Sequence, residues 1–181
     1  MLVLSIAFLI SLSLTLLVVR HAKNGGHKLY DVDLSGPQKF HSAPVPRVGG
    51  IGIVAGVLAG LLALAWVEPS AWAPALLLLL CAIPAFGSGV TEDISKSQSP
   101  RRRLFFTAVS AALGVLLLDG SIKRTDIPGL DWIVSHPMGA ALVTVFVVAG
   151  VANSLNIIDG FNGLASMCAV LMLASVGYVA F

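Results

Sequence analysis

Long apolar runs separated by short polar segments dominate the chain. The runs cover residues 2–19, 48–66, 73–90, 104–118, 137–152 and 164–181. A helix needs about 20 apolar residues to cross about 30 Å of hydrocarbon, and the fourth and fifth runs are the shortest of the six. The pattern predicts an all-α, polytopic transmembrane bundle of about six spans, forming one transmembrane domain over residues 1–181.

Composition supports the same class of protein. Of the 181 residues, 57% are hydrophobic and 11% are charged, and the mean hydropathy is +0.94. Soluble domains carry about 25% charged residues. The net charge of +2 is too small to indicate a nucleic-acid partner. Cys81 and Cys168 lie inside apolar runs, which favours packing roles over a disulfide or a metal site.

Basic residues are distributed unequally between alternate polar segments. Segments 20–47 and 91–103 together hold nine of the eleven Lys and Arg residues, whereas the remaining two, Lys123 and Arg124, lie between the fourth and fifth runs. Cytoplasmic segments of membrane proteins are enriched in Lys and Arg. We therefore predict that 20–47, 91–103 and 153–163 are cytoplasmic and that the N-terminus lies outside.

Glycines recur inside the second run. Gly52, Gly56 and Gly60 are spaced four residues apart, so they share one face of a helix. Small residues at this spacing let another helix approach closely within a membrane. The spacing predicts a helix–helix contact along this strip.

An acidic pair follows the third run. Adjacent carboxylates at Glu92 and Asp93 repel each other unless a cation or a proton relieves them, so they suit Mg²⁺ binding or general-base work. A solvated helix end is the alternative. The arginines at 101–103 directly precede the fourth run. They either keep this end of the span on the cytoplasmic side or contact an anionic lipid head group or a nucleotide phosphate.

A second polar cluster follows the fifth run. Asn153, Asn156 and Asp159 recur every third residue and span about 120° if the helix continues through them. Gly160 and Gly163 are predicted to break the helix before and after Asn162. Amide and carboxylate oxygens ligate Mg²⁺, and amides recognise nucleobase edges or sugar hydroxyls. A polar helix cap is the alternative, although it requires one Asn and one Gly and leaves the other polar residues unexplained.

A third polar cluster lies in the first cytoplasmic segment. Lys39, His41 and Arg47 are spread among turn residues ahead of the second run. Such groups suit phosphate binding. Arg47 alternatively sets the topology, and a single His in a loop is more often inert than catalytic.

Taken in order, these clusters resemble a known family. The segment VPRVGG at 45–50, the acidic pair followed by Lys96, and NSLNIIDGFNGLA from Asn153 resemble the polyprenyl-phosphate N-acetylhexosamine-1-phosphate transferases, in register over about residues 30–170. The resemblance implies a multi-pass enzyme of the bacterial inner membrane that works at the cytoplasmic face. It would transfer a sugar 1-phosphate from a UDP-sugar to undecaprenyl phosphate with Mg²⁺ or Mn²⁺, releasing UMP, in cell-envelope polysaccharide synthesis.

The resemblance also implies roles for individual residues. Glu92, Asp93 and Asp159 are expected to be catalytic, and Asp93, Asn153 and Asp159 are expected to ligate the metal. The residues expected to bind substrate are Lys39, His41, Arg47, Lys96, Arg101, Arg103, Asn156 and Asn162. Two positions depart from the family pattern: Glu92 stands where Asp is usual, and Asn162 stands where many members have Asp.

Length is the larger departure from the family pattern. Family members usually have ten or eleven spans, with a further catalytic Asp and a His-rich loop in the second half. We expect this chain to represent the N-terminal part of that fold, forming a homo-oligomer or pairing with a C-terminal half. A truncated, non-catalytic membrane protein is the first alternative. A small transporter is the second, although polar groups at span ends favour a surface-accessible site.

The asymmetry of basic residues makes the topology testable. A cysteine placed at Ser97 should resist a membrane-impermeant thiol reagent applied to intact cells, because the 91–103 segment is predicted to be cytoplasmic. The measurement is the fraction of protein labelled before and after the membrane is opened. Efficient labelling in intact cells would contradict the predicted topology.

Overall fold

The fold is almost entirely helical. A computed structural model describes residues 1–23, 30–31, 45–46, 49–95, 99–159 and 163–180. Within these residues the helices are α1 (Leu2–Lys23), α2 (Gly49–Val67), α3 (Pro69–Ser95), α4 (Pro100–Leu118), α5 (Leu130–Val134), α6 (Pro137–Ile158) and α7 (Leu164–Ala180). Strands β1 (Tyr30–Asp31) and β2 (Val45–Pro46) form one short antiparallel ladder, with Tyr30 opposite Pro46. The all-α class is confirmed.

All six apolar runs form helices. By length and composition, α1, α2, α3 and α6 are able to cross a membrane. The described helix α4 is long enough but begins with three arginines, and α7 has 17 residues. Large apolar side chains are exposed on these helices, including Leu62, Leu142 and Phe146. Such surfaces suit lipid, so the chain is a multi-pass membrane protein; the number of crossings and the side of the N-terminus stay predictions.

Two compact units make up the chain. Helices α1 to α3 and the β1–β2 ladder belong to the first unit, and helices α4 to α7 belong to the second. Each unit has its own helix–helix contacts, namely α1 with α2 and α2 with α3 in the first, and α6 with α4, α5 and α7 in the second. The single transmembrane domain over residues 1–181 stays a prediction.

The predicted glycine strip forms a close helix–helix contact in the first unit. Gly52, Gly56 and Gly60 are buried and face α1. A Cβ added to Gly56 would lie 2.7 Å from both the carbonyl oxygen of Ala7 and the Cβ of Ser11. This separation is far too short for two non-bonded atoms. The glycines therefore set the distance between α1 and α2, and the predicted packing role is confirmed.

The partner face on α1 is also made of small residues. Thr15 lies against Gly52, Ser11 against Gly56 and Ala7 against Gly60, so the two helices run antiparallel. Hydrocarbon supplies no hydrophobic drive between apolar helices, and close van der Waals contact between small residues provides the attraction instead. The same four-residue spacing on both helices makes a continuous seam, here called the small-residue seam.

The connection between α4 and α6 is an ordered part of the second unit. Thr144, buried on α6, accepts a hydrogen bond from the backbone N–H of Ile122 at 2.8 Å and donates one to the carbonyl of Ala140 at 2.7 Å. The bond from Ile122 fastens the 119–127 segment to α6. Gly139 lies against the backbone of Ile133, which brings α5 onto the first turn of α6. The five-residue α5 was not predicted from the sequence.

Asp131 organises the turn before α5. Its Oδ1 accepts hydrogen bonds from the backbone N–H of Thr125 at 2.6 Å and from the Thr125 hydroxyl at 2.7 Å. These two bonds stabilise the carboxylate, so they lower the pKa of Asp131 from its ordinary value of 3.8. The Thr125 hydroxyl in turn accepts from the N–H of Ile127 at 3.3 Å. The ionised form of Asp131 therefore holds the turn.

Replacing Gly56 with Ala should loosen the small-residue seam. The added methyl group forces α1 away from α2, and overpacking of this kind costs about 1–3 kcal/mol. Gly114→Ala in α4 is the matched control, because a Cβ there meets nothing within 4 Å. The measurement is the thermal unfolding midpoint in detergent. Equal midpoints for Gly56→Ala and Gly114→Ala would show that the seam does not limit packing.

Asp131→Asn should remove a pH-dependent contribution to stability. Because the folded pKa is depressed, the carboxylate stabilises the fold above pH about 3.8, and this contribution disappears as the pH falls through the lower folded pKa. The difference in unfolding midpoint between wild type and variant should therefore be present at neutral pH and shrink in acid. Asp126→Asn, which removes an exposed ion pair with Arg124, is the control. A difference independent of pH would contradict the assignment.

Candidate functional site

The acidic pair lies in the last turns of α3. This helix has 27 residues and is about 40 Å long at the usual rise, so it exceeds the roughly 30 Å thickness of a bilayer core. Its final turns, with Glu92 and Asp93, therefore fit outside the hydrocarbon. Glu92 is half-buried and takes part in a polar interaction. The side chain of Asp93 lies outside the described residues.

Nearby hydroxyl groups complete the end of α3. Thr91 donates to the carbonyl oxygen of Gly87 at 2.7 Å, and Ser95 donates to the carbonyl oxygen of Thr91 at 2.6 Å. Both side chains bond within their own helix. Both hydroxyls are therefore satisfied without an external partner.

The second cluster lies at the end of α6, as the three-residue spacing predicts. The helix continues through Asn153 and Asn156 to Ile158, and Asp159 is the residue that caps it. Asn153 is half-buried, whereas Asn156 and Asp159 are exposed. The predicted helix break follows at Gly163, whose φ of 77° is left-handed, and α7 begins at Leu164. The polar groups thus lie on one arc at an accessible helix end.

The arginine run forms the first turn of α4. Ser99 caps this helix by accepting a hydrogen bond from the backbone N–H of Arg102, at 3.4 Å, and Pro100 occupies the first helical position. Arg101 and Arg102 are exposed, and Arg103 is half-buried with an interaction of its own. Two of these three guanidinium groups therefore face the surroundings at a helix N-terminus.

Charges at these three helix ends oppose the helix dipoles. A helix is stabilised by acidic groups in its first turn and basic groups in its last turn, by about 0.3–1 kcal/mol each at exposed positions. In α3 and α6 carboxylates lie at the negative C-terminal end, and the last turns have no basic residue. In α4 the positive N-terminal end carries arginines and no acidic residue. The α3 and α6 ends attract cations, and the α4 start attracts anions.

Several predicted site residues fall outside the described part of the chain. They are Lys39, His41, Arg47, Lys96 and Asn162. Glu92 and Asp93 belong to the first unit, whereas Arg101, Arg103 and the α6 cluster belong to the second. The predicted residues that the structure describes lie at helix ends, and the roles assigned to them stay predictions. That Asp93 and Asp159 share one metal stays a prediction. Among the described residues, no three His, Cys, Asp or Glu side chains group closely enough to hold a metal ion.

Sequence reasoning missed two features of these helix ends. It did not use the helix dipoles. The signal was present in the sequence, because acidic residues follow two of the apolar runs and arginines precede another. It also passed over Ser88, which is buried on α3 one turn before Glu92 and has a polar partner. A single serine inside an apolar run carries no pattern that marks it. Cys81 on the same helix is buried, as expected of a packing residue, and both thiols are free.

Comparison with known proteins identifies the family. The model of glycosyl transferase family 4 matches residues 75–181, more than half of the chain. The matched segment contains the acidic pair, the arginine run and the α6 cluster. The chain belongs to glycosyl transferase family 4, and the resemblance drawn from the sequence motifs is confirmed.

Curated relatives carry names that fit this family. A probable undecaprenyl-phosphate N-acetylglucosaminyl 1-phosphate transferase of Bacillus subtilis is 27% identical over 97% of this chain and 48% of its own length. Phospho-N-acetylmuramoyl-pentapeptide-transferases of Phenylobacterium zucineum and Mycobacterium marinum are 29% and 28% identical, over 78% and 100% of this chain and 42% and 56% of theirs. The chain thus spans about half the length of these relatives. No solved structure matches it.

Proposed function

We propose that this chain supplies the N-terminal part of a transferase that moves an N-acetylhexosamine 1-phosphate from a UDP-sugar to undecaprenyl phosphate. The reaction takes place at the cytoplasmic face of a bacterial inner membrane and releases UMP. Membership of the family supports the general reaction, and the name of the Bacillus subtilis relative supports N-acetylglucosamine 1-phosphate as the group transferred and undecaprenyl phosphate as the acceptor. The complete reaction belongs to the full-length protein.

The observation that carries this proposal is the placement of carboxylates at two negative helix ends. Glu92 and Asp93 on α3 and Asp159 on α6 gain no stability from their helices there. A bound divalent cation would compensate both the carboxylates and the dipoles. Mg²⁺ prefers carboxylate and amide oxygens together with substrate phosphates, and Asn153 adds an amide to the set. The chemical types of these residues therefore suit Mg²⁺.

Each helix end has a distinct role in the proposed reaction. Mg²⁺ would neutralise the pyrophosphate of the nucleotide sugar as charge develops on it. Asp93, Asn153 and Asp159 are the proposed metal ligands, and Glu92 completes the proposed acidic pair. Asp93 is alternatively the base toward the lipid phosphate. Asn156 and Asn162 contact the nucleotide sugar through amide hydrogen bonds.

The arginine run complements these carboxylates. Both substrates carry phosphate, and α4 offers a positive helix end with guanidinium groups at Arg101 and Arg103. Lys39, His41, Arg47 and Lys96 are proposed to add further positive charge around the phosphates. Placement of opposite charges at the membrane boundary also suits a reaction between a water-soluble and a lipid-bound substrate.

Replacement of either proposed metal-binding carboxylate should strongly lower turnover. We expect Asp93→Asn and Asp159→Asn to lower UMP release by about 10²–10³-fold, because charge stabilisation of the transition state is lost. The assay uses membranes with undecaprenyl phosphate and a UDP-N-acetylhexosamine, with and without Mg²⁺. It is run on the 181-residue chain and on the longest form that its reading frame encodes.

Controls separate chemistry from folding. Asp126→Asn removes an exposed carboxylate of the α4–α6 connection and should leave turnover unchanged. We expect the 181-residue chain alone to be inactive or very weak, since positioning and charge stabilisation act together. Turnover that survives in both the Asp93 and Asp159 variants would exclude the proposed site. A longest form that transfers no UDP-sugar would favour a non-catalytic membrane protein.

A further inference from the structure

The short helix α5 presents apolar side chains at the boundary of a membrane span. Trp132 is 73% exposed and Ile133 is 42% exposed, and Ile127 in the preceding turn is 55% exposed. The membrane-crossing stretch of α6 begins three residues after α5, at Pro137. A large indole ring exposed at this level requires an explanation, because water solvates it poorly.

Polar groups around α5 are already satisfied within the connection. Asp131 is engaged by Thr125, and the exposed ion pairs Lys123–Asp119 and Arg124–Asp126 have N–O distances of 2.7 and 2.6 Å. Their charges cancel locally. The segment therefore offers an external partner mainly apolar surface with a neutralised polar border. That chemistry matches the interface of a bilayer, which accommodates aromatic rings and paired polar groups at one depth.

Trp132 is held at the level where α6 begins. Its ring packs edge-on against the ring of His136, with 5.6 Å between ring centroids, and His136 is the N-cap residue of α6. The Ser135 hydroxyl donates to the carbonyl oxygen of Trp132 at 2.7 Å, which fixes the end of α5. Val134 on the other side of α5 is buried. The indole thus has a defined height relative to the spanning helix.

An exposed apolar surface runs along α6 and begins close to Trp132. Met138, Leu142 and Phe146 are four residues apart and are 72%, 64% and 78% exposed, so they form one apolar stripe along the helix. The stripe begins within two residues of His136, which Trp132 contacts. The exposed apolar side of α5 is therefore followed along the chain by an exposed apolar stripe on α6.

We propose that α5 is an interfacial membrane anchor whose exposed side chains, led by Trp132, insert into the head-group region of the bilayer. The partner is the lipid surface on the side of the membrane where the α4–α6 connection lies. This anchor fixes the depth of the first turn of α6. It is independent of the proposed transferase activity, since it uses none of the residues assigned to the reaction.

The test measures the depth of Trp132 in a bilayer. A variant with Trp66→Phe and Trp72→Phe retains Trp132 as its single tryptophan. It is reconstituted into phosphatidylcholine vesicles containing lipids brominated either near the glycerol end or near the centre of the acyl chain. We expect strong fluorescence quenching by the shallow bromines, weaker quenching by the deep ones and little quenching by aqueous iodide.

A matched variant calibrates the result. The Trp66-only protein, with Trp72→Phe and Trp132→Phe, reports a 91% exposed indole in the last turn of α2. Far-ultraviolet circular dichroism checks that both variants keep the helical content of wild type. If Trp72→Phe weakens the fold, subtracting the quenching of Trp132→Phe from that of wild type gives the Trp132 signal instead.

Three results would overturn the proposal. Iodide quenching equal to that of free tryptophan would place Trp132 in water. Protection from every quencher would mean that protein covers it, as in a contact with a second copy. Stronger quenching by the deep bromines than by the shallow ones would place the indole in the hydrocarbon core rather than at the interface.

Discussion

The structure depends on one constraint, which is that hydrocarbon offers no hydrogen-bond partner to the peptide backbone. A helix satisfies its own N–H and C=O groups, so the apolar runs of this chain form helices. Hydroxyl side chains within the helices obey the same constraint. Thr144 donates to the carbonyl of Ala140, and Ser154 donates to that of Gly150 at 2.9 Å. The groups left without such partners are at helix ends, and this is where the chain places its charged residues.

This constraint also determines how the helices hold together. Between apolar helices in lipid the hydrophobic effect contributes little, and close packing has to supply the attraction. The small-residue seam does so in the first unit, whereas the hydrogen bond from Ile122 to Thr144 joins a connection to a helix in the second. Within each unit the described helices are thus joined by small side chains and by internal hydrogen bonds.

Sequence patterns anticipated the features that depend on one local rule. The length of the apolar runs predicted the six long helices, and the four-residue spacing of glycines predicted the packing role of Gly56. The partner residues Ala7 and Ser11 were not predicted, because small residues in an apolar run become informative only once the facing helix is known. The helix α5 was missed for a similar reason: five residues show no periodicity, and Asp131 holds the turn through contacts with Thr125. Motif spacing located polar residues such as Glu92 and Asp159 at helix ends. Bringing residues from separate helix ends together depends on long-range contacts, which local spacing does not encode.

The small-residue seam also bears on the order in which the protein assembles. Both of its faces lie within the first 60 residues, so the contact needs no part of the chain beyond α2. Synthesis adds about 5–20 residues per second, and N-terminal parts fold first. The α1–α2 hairpin can therefore close while later helices are still being made. An inherited change to a bulky residue in this seam would therefore disturb biogenesis at an early tertiary step.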